Sequence, residues 1–226
     1  MTSSETQSAA MYSLPGYTRG EELFNMASHI FGGVIGVAGL IACMAAAVKH
    51  GSIWGIVTGI VYGASVILLY TMSSVYHGLN VSPTKKLFRV FDHCTIFVMI
   101  AGCATPILLG AFRQHFPVDA WLLFAFMWGA AVFGVILNVI DLNKYRKLSI
   151  VCYLAMGWCG AIRISRLLET YPKALFIYLL AGGISYTVGA LLYAFANKKK
   201  YIHSVFHLFV VAATALHFIG IILYVL

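Results

Sequence analysis

The chain has 226 residues, of which 61% are hydrophobic and only 10% charged, with a mean hydropathy of +0.89. No soluble domain of this size stays in solution with that balance, so soluble enzymes and soluble binding modules are excluded. The net charge of +8 would suit a nucleic-acid ligand, but the Lys and Arg residues lie in short connections between apolar runs, not on a continuous basic face; topology and anionic lipid headgroups account for them. No nucleic-acid partner is expected, nothing identifies a protein partner, and membrane lipid is the expected substrate or ligand.

Residues 1–22 are polar, with Ser3, Ser4, Glu5, Glu21 and Glu22, and lack the basic start and small-residue cleavage site of a signal peptide. They read as a short cytoplasmic N-terminus, and residues 23–226 as a single membrane domain. Seven apolar stretches follow, near 24–48, 52–77, 87–110, 121–140, 148–168, 174–196 and 202–226, each close to the ~20 residues that a helix needs to cross ~30 Å of hydrocarbon. The connections hold the turn formers and charges, among them Pro83, Pro117, Asp141 and Pro172. The expected fold is an all-α integral membrane protein of the cell membrane, a bundle of seven transmembrane helices.

Gly32 and Gly36 in the first segment, and Gly55, Gly59 and Gly63 in the second, repeat every four residues and let neighbouring backbones approach closely. Thr105-Pro106 is expected to kink the third segment, since proline removes a backbone donor and crowds the preceding turn. Arg163 and Arg166 in the fifth sit near an interface to which long side chains can snorkel. The five cysteines lie in or beside apolar segments without a C-x-x-C pair and read as small core residues.

Orientation follows the positive charges. The N-terminal segment and the second, fourth and sixth connections, with the helix ends they join, hold Arg19, Lys85, Lys86, Arg89, Lys144, Arg146, Lys147, Lys198, Lys199 and Lys200. The opposite side has Lys49, Arg113, Arg163, Arg166 and Lys173. Ten against five puts the N-terminus in the cytoplasm and the C-terminus outside.

That topology brings the polar residues together. The second segment ends on the cytoplasmic side at Ser73 and His77, the third starts there with Asp92, and the seventh starts there with His203 and His207. Within each i,i+4 pair both side chains share one helix face, and ionisable groups in a membrane span mark function. Three neutral imidazoles with one open position form a recurring catalytic zinc site. Asp92 would accept a proton there or orient a ligand ring, and Ser73 would donate to a developing oxyanion.

"SSVYHG" at the end of the second segment, "FDHCTIF" opening the third and "HSVFHLFVVAATALHF" in the seventh, with "EELFNMASH" before the first, resemble the motifs of the hemolysin III proteins, the bacterial branch of the progestin and adipoQ receptor family. The resemblance covers the seven-helix core. It implies a zinc ion held by His77, His203 and His207, with Asp92 and Ser73 beside it. Through adiponectin receptors and alkaline ceramidases it also implies a lipid-amide hydrolase chemistry, and hence a role in membrane-lipid homeostasis. The ~20 residues before the first helix and an end inside the seventh make a hormone-receptor role unexpected. Two other classes stay open: a membrane-state sensor with structural zinc, and a pore-forming cytolysin.

The other histidines have separate readings. His217, ten residues past His207 and ~15 Å further along the helix, lies beyond reach of the same metal and is expected to line an internal cavity or bond a neighbouring helix. His29 is open to a supporting or proton-relay role and to a plain interhelical hydrogen bond. His93, His50 and His115 are not expected as ligands.

Overall fold

A computed structural model describes residues 14–195 and 199–226. Ser3, Ser4 and Glu5 of the polar N-terminal stretch, and Lys198 of the sixth connection, lie outside the described residues. The labels used are α1 (Arg19–Lys49), α2 (Ile53–Gly78), α3 (Pro83–Ile107), α4 (Pro117–Trp158), α5 (Ile164–Thr170), α6 (Lys173–Phe195) and α7 (Ile202–Tyr224). Among the described residues, six helical runs are long and apolar enough to cross a membrane, the run Pro117–Thr170 counting as one.

That run of 54 residues would be ~80 Å long if straight, far more than the ~30 Å of hydrocarbon. It is not straight. Asp141 leaves helical geometry (φ −162°, ψ 96°), and its carboxylate accepts from the backbone N–H of Asn143 at 3.0 Å and of Lys144 at 2.9 Å. One residue thus ends the first arm (117–140) and caps the second (142–158), where the sequence suggested a seven-residue connection. The arms lie side by side and antiparallel: Ser149 Oγ donates to Asn138 at 2.8 Å, Cys159 Sγ is 3.2 Å from Met127 Sδ, and Asp119 bridges Arg163 and Arg166.

α1 begins at Arg19 because Thr18 and Glu21 form a capping box, each side chain taking the other's backbone N–H. Its buried stripe is small or polar, with Asn25, His29, Gly32, Gly36, Gly39 and Cys43 facing inward, and Phe31, Val34 and Ile41 exposed on the lipid side. The glycine repeats do pack as spacers: a Cβ on Gly36 would lie 3.1 Å from Val66, and one on Gly63 2.7 Å from Leu40. α1 packs on both α2 and α7, so the chain ends close the bundle. The distortion expected at Pro106 comes later. α3 runs through the proline to Ile107 and then widens into a π-helical turn, Leu108–Phe112, with Gly110 outside helical geometry.

The junction of α3 with both arms of α4 is tight. Phe97 is fully buried, packs on Tyr153 with ring centroids 4.4 Å apart, and abuts the α-carbon of Gly134. Gly134→Ala should therefore destabilise the protein by about 1–3 kcal/mol through overpacking. Gly129→Ala, where nothing lies within 4 Å of the new methyl, should be neutral or slightly stabilising. Thermal unfolding of the two variants in detergent makes the comparison; equal midpoints would show that the α3–α4 junction is loose.

Candidate metal centre and its cavity

At the end of the bundle where α1, α3 and α7 begin and α2 finishes, His77, His203 and His207 are all buried. One ring nitrogen from each lies within 4.8 Å of the others. Two of the rings are held so that Nε2 is bare. Glu22 Oε2 is 2.6 Å from His77 Nδ1; a carboxylate accepts, so Nδ1 carries the proton, and the buried Nε2 has no hydrogen-bond partner. His207 Nδ1 is 3.3 Å from the Asn25 carbonyl oxygen, which likewise assigns it the proton and turns the Nε2 lone pair towards His203. The Nε2 atoms of His203 and His207 are 3.1 Å apart. Three converging imidazole nitrogens, two presented as lone pairs, suit a cation with a taste for nitrogen, so the residues present can hold a metal ion.

The support comes from α1 and the start of α3. Glu22 Oε1 also takes Lys85 Nζ at 2.9 Å, and Lys85 donates to the carbonyls of Tyr76 (3.0 Å) and Leu79 (2.8 Å) at the C-terminus of α2. Asn25 Oδ1 accepts from Ser204 Oγ at 2.6 Å, tying α1 to α7. Glu21 Oε1 accepts from the Tyr201 N–H at 2.8 Å, which secures the residue that enters α7 in left-handed geometry (φ 61°). Tyr17 stacks on His203 with centroids 5.0 Å apart and an interplanar angle of 17°, and lies 5.9 Å from His77. Its phenol is pushed to a high pKa by burial, so it stays neutral over the centre.

Each residue expected at the site is there in space. Asp92 is buried within electrostatic reach of His77 and His203, and its Oδ2 is 3.5 Å from His93 Nδ1. The Ser73 hydroxyl is fully buried and borders the Asp92 carboxylate. His29 stacks on His207 at 3.6 Å with an angle of 11°, and neither of its ring nitrogens is hydrogen-bonded. The interhelical hydrogen bond considered for it is therefore not formed. His93 is not part of the triad; its Nε2 meets the Tyr193 hydroxyl at 3.0 Å. His50 sits at the other end of the molecule, 2.7 Å from the Leu226 carbonyl.

Sequence reasoning did not assign roles to Glu22, Asn25, Ser204 or Tyr17. A signal for the first two exists: Glu22, Asn25 and His29 recur at three and four residues along an otherwise apolar helix, a polar stripe that must find partners inside.

From this centre a cavity of about 510 Å³ runs along the bundle between α3, the second arm of α4, α6 and α7. His29, Asp92, His203 and His207 line one end, Cys103 and His217 lie deeper, and the wall is mostly apolar. Trp158, Ile164 and Leu180 border it and are 41%, 44% and 52% exposed on the outer surface, so the cavity reaches the lipid-facing side. His217 does both things expected of it, lining the cavity and meeting the Leu179 carbonyl of α6 at 3.2 Å.

Comparisons with known proteins agree with this architecture. The family described as Haemolysin-III related matches residues 17–218. The chain is 36% identical over 206 residues to Hemolysin-3 of Bacillus cereus, covering 91% of this chain and 92% of that one. It is 31% identical over 208 residues to the Hemolysin-3 homolog of Bacillus subtilis (strain 168), covering 92% and 96%. A more distant likeness, 26% over 189 residues, covers 72% of this chain and 42% of an adiponectin receptor protein from Drosophila melanogaster. The chain is a multi-pass membrane protein of the cell membrane and belongs to the haemolysin-III family.

Proposed function

We propose that this protein is a zinc-dependent hydrolase acting on an amide or ester of a membrane lipid. The observation that carries the reading is the convergence of three imidazole nitrogens, beside an ionisable Asp92, at the closed end of an apolar cavity that opens towards lipid. His77, His203 and His207 would hold the Zn²⁺. Bound there, zinc supplies a Lewis acid and lowers the pKa of a coordinated water to about 7.

The chain's own residues divide the remaining work. The cavity takes the acyl chain and excludes water, and its volume is in the range of small-molecule sites. Asp92 receives the proton of the attacking water and later delivers it to the leaving group. The Ser73 hydroxyl, beside Asp92, would donate to the carbonyl oxygen as charge develops on it. Glu22 and Asn25 fix the ring orientations, the role carboxylates and carbonyls play around metal-bound histidines. Tyr17 covers the face of His203 and limits solvent access. A sensor with structural zinc would need the same three rings but has no use for a serine and an aspartate beside them and a lipid-sized cavity that reaches the aspartate.

We further infer seven crossings, with the two arms of α4 as separate spans, the N-terminus in the cytoplasm and the C-terminus outside. The ten-to-five partition of Lys and Arg supports the orientation, and the Asp141 reversal supports the count. Cysteine labelling in intact cells should find positions 86, 147 and 199 inside and 49 and 173 outside. Accessibility of 147 from the same side as 49 would sink the hairpin reading.

Purified protein should retain about one zinc per chain, and Glu22→Gln should weaken zinc 10–100-fold in competition with a chromogenic chelator. Tyr17→Ala should speed zinc removal. A wild-type chain that takes up no zinc would overturn the assignment. Asp92→Asn should keep zinc but lose about 10²–10⁴-fold in fatty-acid release from ceramides, lysolipids or phospholipids; turnover equal to wild type would eliminate its role as base.

A further inference from the structure

The apolar wall of the cavity is interrupted by Cys103, Tyr186 and His217, each with hydrogen-bonding neighbours on α3, α6 or α7. The Thr214 hydroxyl has one hydrogen, and the Val210 carbonyl oxygen 3.0 Å away can only accept it. Thr214 Oγ1 is therefore an acceptor towards its two phenolic neighbours, Tyr70 and Tyr186, each at 2.8 Å. Tyr186 has thus spent its one hydrogen, and its oxygen keeps only lone pairs. Met99 Sδ, 3.5 Å away, could also take that hydrogen, but a thioether sulfur is a weaker acceptor than the closer Thr214 oxygen. The same accounting applies beside it. The Leu179 carbonyl 3.2 Å from His217 Nε2 accepts, so Nε2 carries the proton and Nδ1 is bare. Cys103, 3.1 Å from Nδ1, directs its S–H there, so its sulfur meets its other neighbours, Tyr62 among them, as an acceptor. Tyr186 and His217 pack edge to face with centroids 5.4 Å apart, and Cys103 Sγ lies against the same His217 ring. The buried Tyr62 hydroxyl also borders Cys103 but is not among the residues lining the cavity.

We propose that this cavity selects a lipid chain carrying a hydrogen-bond donor, a hydroxyl above all, at mid-length, with Tyr186 Oη as its acceptor and Cys103 Sγ beside it. An unsatisfied buried acceptor is costly, and a plain alkyl chain would bury this one; a hydroxyl would satisfy it. Position follows from the helix: Thr214 and His217 are seven and ten residues past His207, on the order of 10–15 Å along α7. That distance from the carbonyl-binding end falls within an acyl chain and not beside its headgroup. The assignment rests on reading the cavity as a lipid site and is independent of whether hydrolysis occurs there.

The test is displacement of a fluorescent fatty acid from the full-length, zinc-loaded protein in detergent micelles. Four competitors are used: stearate, stearate with a mid-chain hydroxyl, the methyl ether of that compound, and stearate hydroxylated next to the carboxyl. The mid-chain alcohol should compete about ten-fold better than its ether, while the hydroxyl next to the carboxyl should bring no gain over stearate. Tyr186→Phe should reduce alcohol and ether to parity. Thr214→Val removes the acceptor that holds the Tyr186 hydrogen and frees that hydrogen for the ligand; alcohol and ether oxygens can both accept it, so the preference for the alcohol should shrink towards parity. Parity in the wild type, displacement by none of the four, or selectivity that survives Tyr186→Phe would each overturn the proposal. Intact selectivity in a protein that releases no fatty acid from any lipid would overturn the hydrolase reading alone.

Discussion

The carboxylate of Glu22 does three things at once, and the site depends on all of them. It fixes the tautomer of His77 by taking the Nδ1 proton at 2.6 Å, it holds Lys85 against the carbonyl end of α2, and it joins α1 to the helix pair that carries Ser73, His77 and Asp92. An imidazole free to choose its proton position would present a donor to its neighbours about as readily as a lone pair, and a cation needs lone pairs. In an apolar bundle even a half-buried carboxylate is costly unless it is paired and hydrogen-bonded. The Lys85 contact offsets that cost and also satisfies helix-end carbonyls that would otherwise lack partners. Asn25 does the corresponding work on α7, using its backbone carbonyl for His207 and its side chain for Ser204.

The centre and the cavity follow from one arrangement of helices. α7 contributes His203 and His207 at one end, the cavity wall along its length and His217 further in. The second arm of α4 forms the opposite wall, and it can do so only because Asp141 sends the chain back along the first arm. Small residues on the α1 stripe bring α2 and α7 close enough for their histidines to meet. Packing in the first half of the bundle thus sets how the three imidazoles converge, while the α4 turn makes room for the cavity.

Much of this is legible in sequence. Long apolar runs separated by short charged connections identify a membrane bundle, and the i,i+4 pairs Ser73/His77 and His203/His207, placed at the same end by helix direction, bring together residues more than a hundred positions apart. What is not legible depends on side-chain rotation and on single residues. Asp141 looks like one polar residue in a connection, yet it alone makes the turn. Pro106 advertises a kink that the helix absorbs and passes on to Gly110. Glu22 reads as part of a polar N-terminus, and only the start of α1 at Arg19, set by Thr18 and Glu21, aims it at His77. His29 carries the right chemistry in the right place but stacks on a ligand ring and makes no hydrogen bond. The direction of the Thr214 hydrogen, on which the mid-cavity acceptor rests, follows only from distances.

X-ray absorption at the zinc edge, on protein purified without added metal, most directly tests the central claim that three imidazoles meet at a cation. The account predicts a first shell of nitrogen and oxygen at about 2.0–2.1 Å, with the multiple scattering of three imidazole rings and no sulfur. A shell containing sulfur at about 2.3 Å, or fewer than three imidazoles, would contradict it.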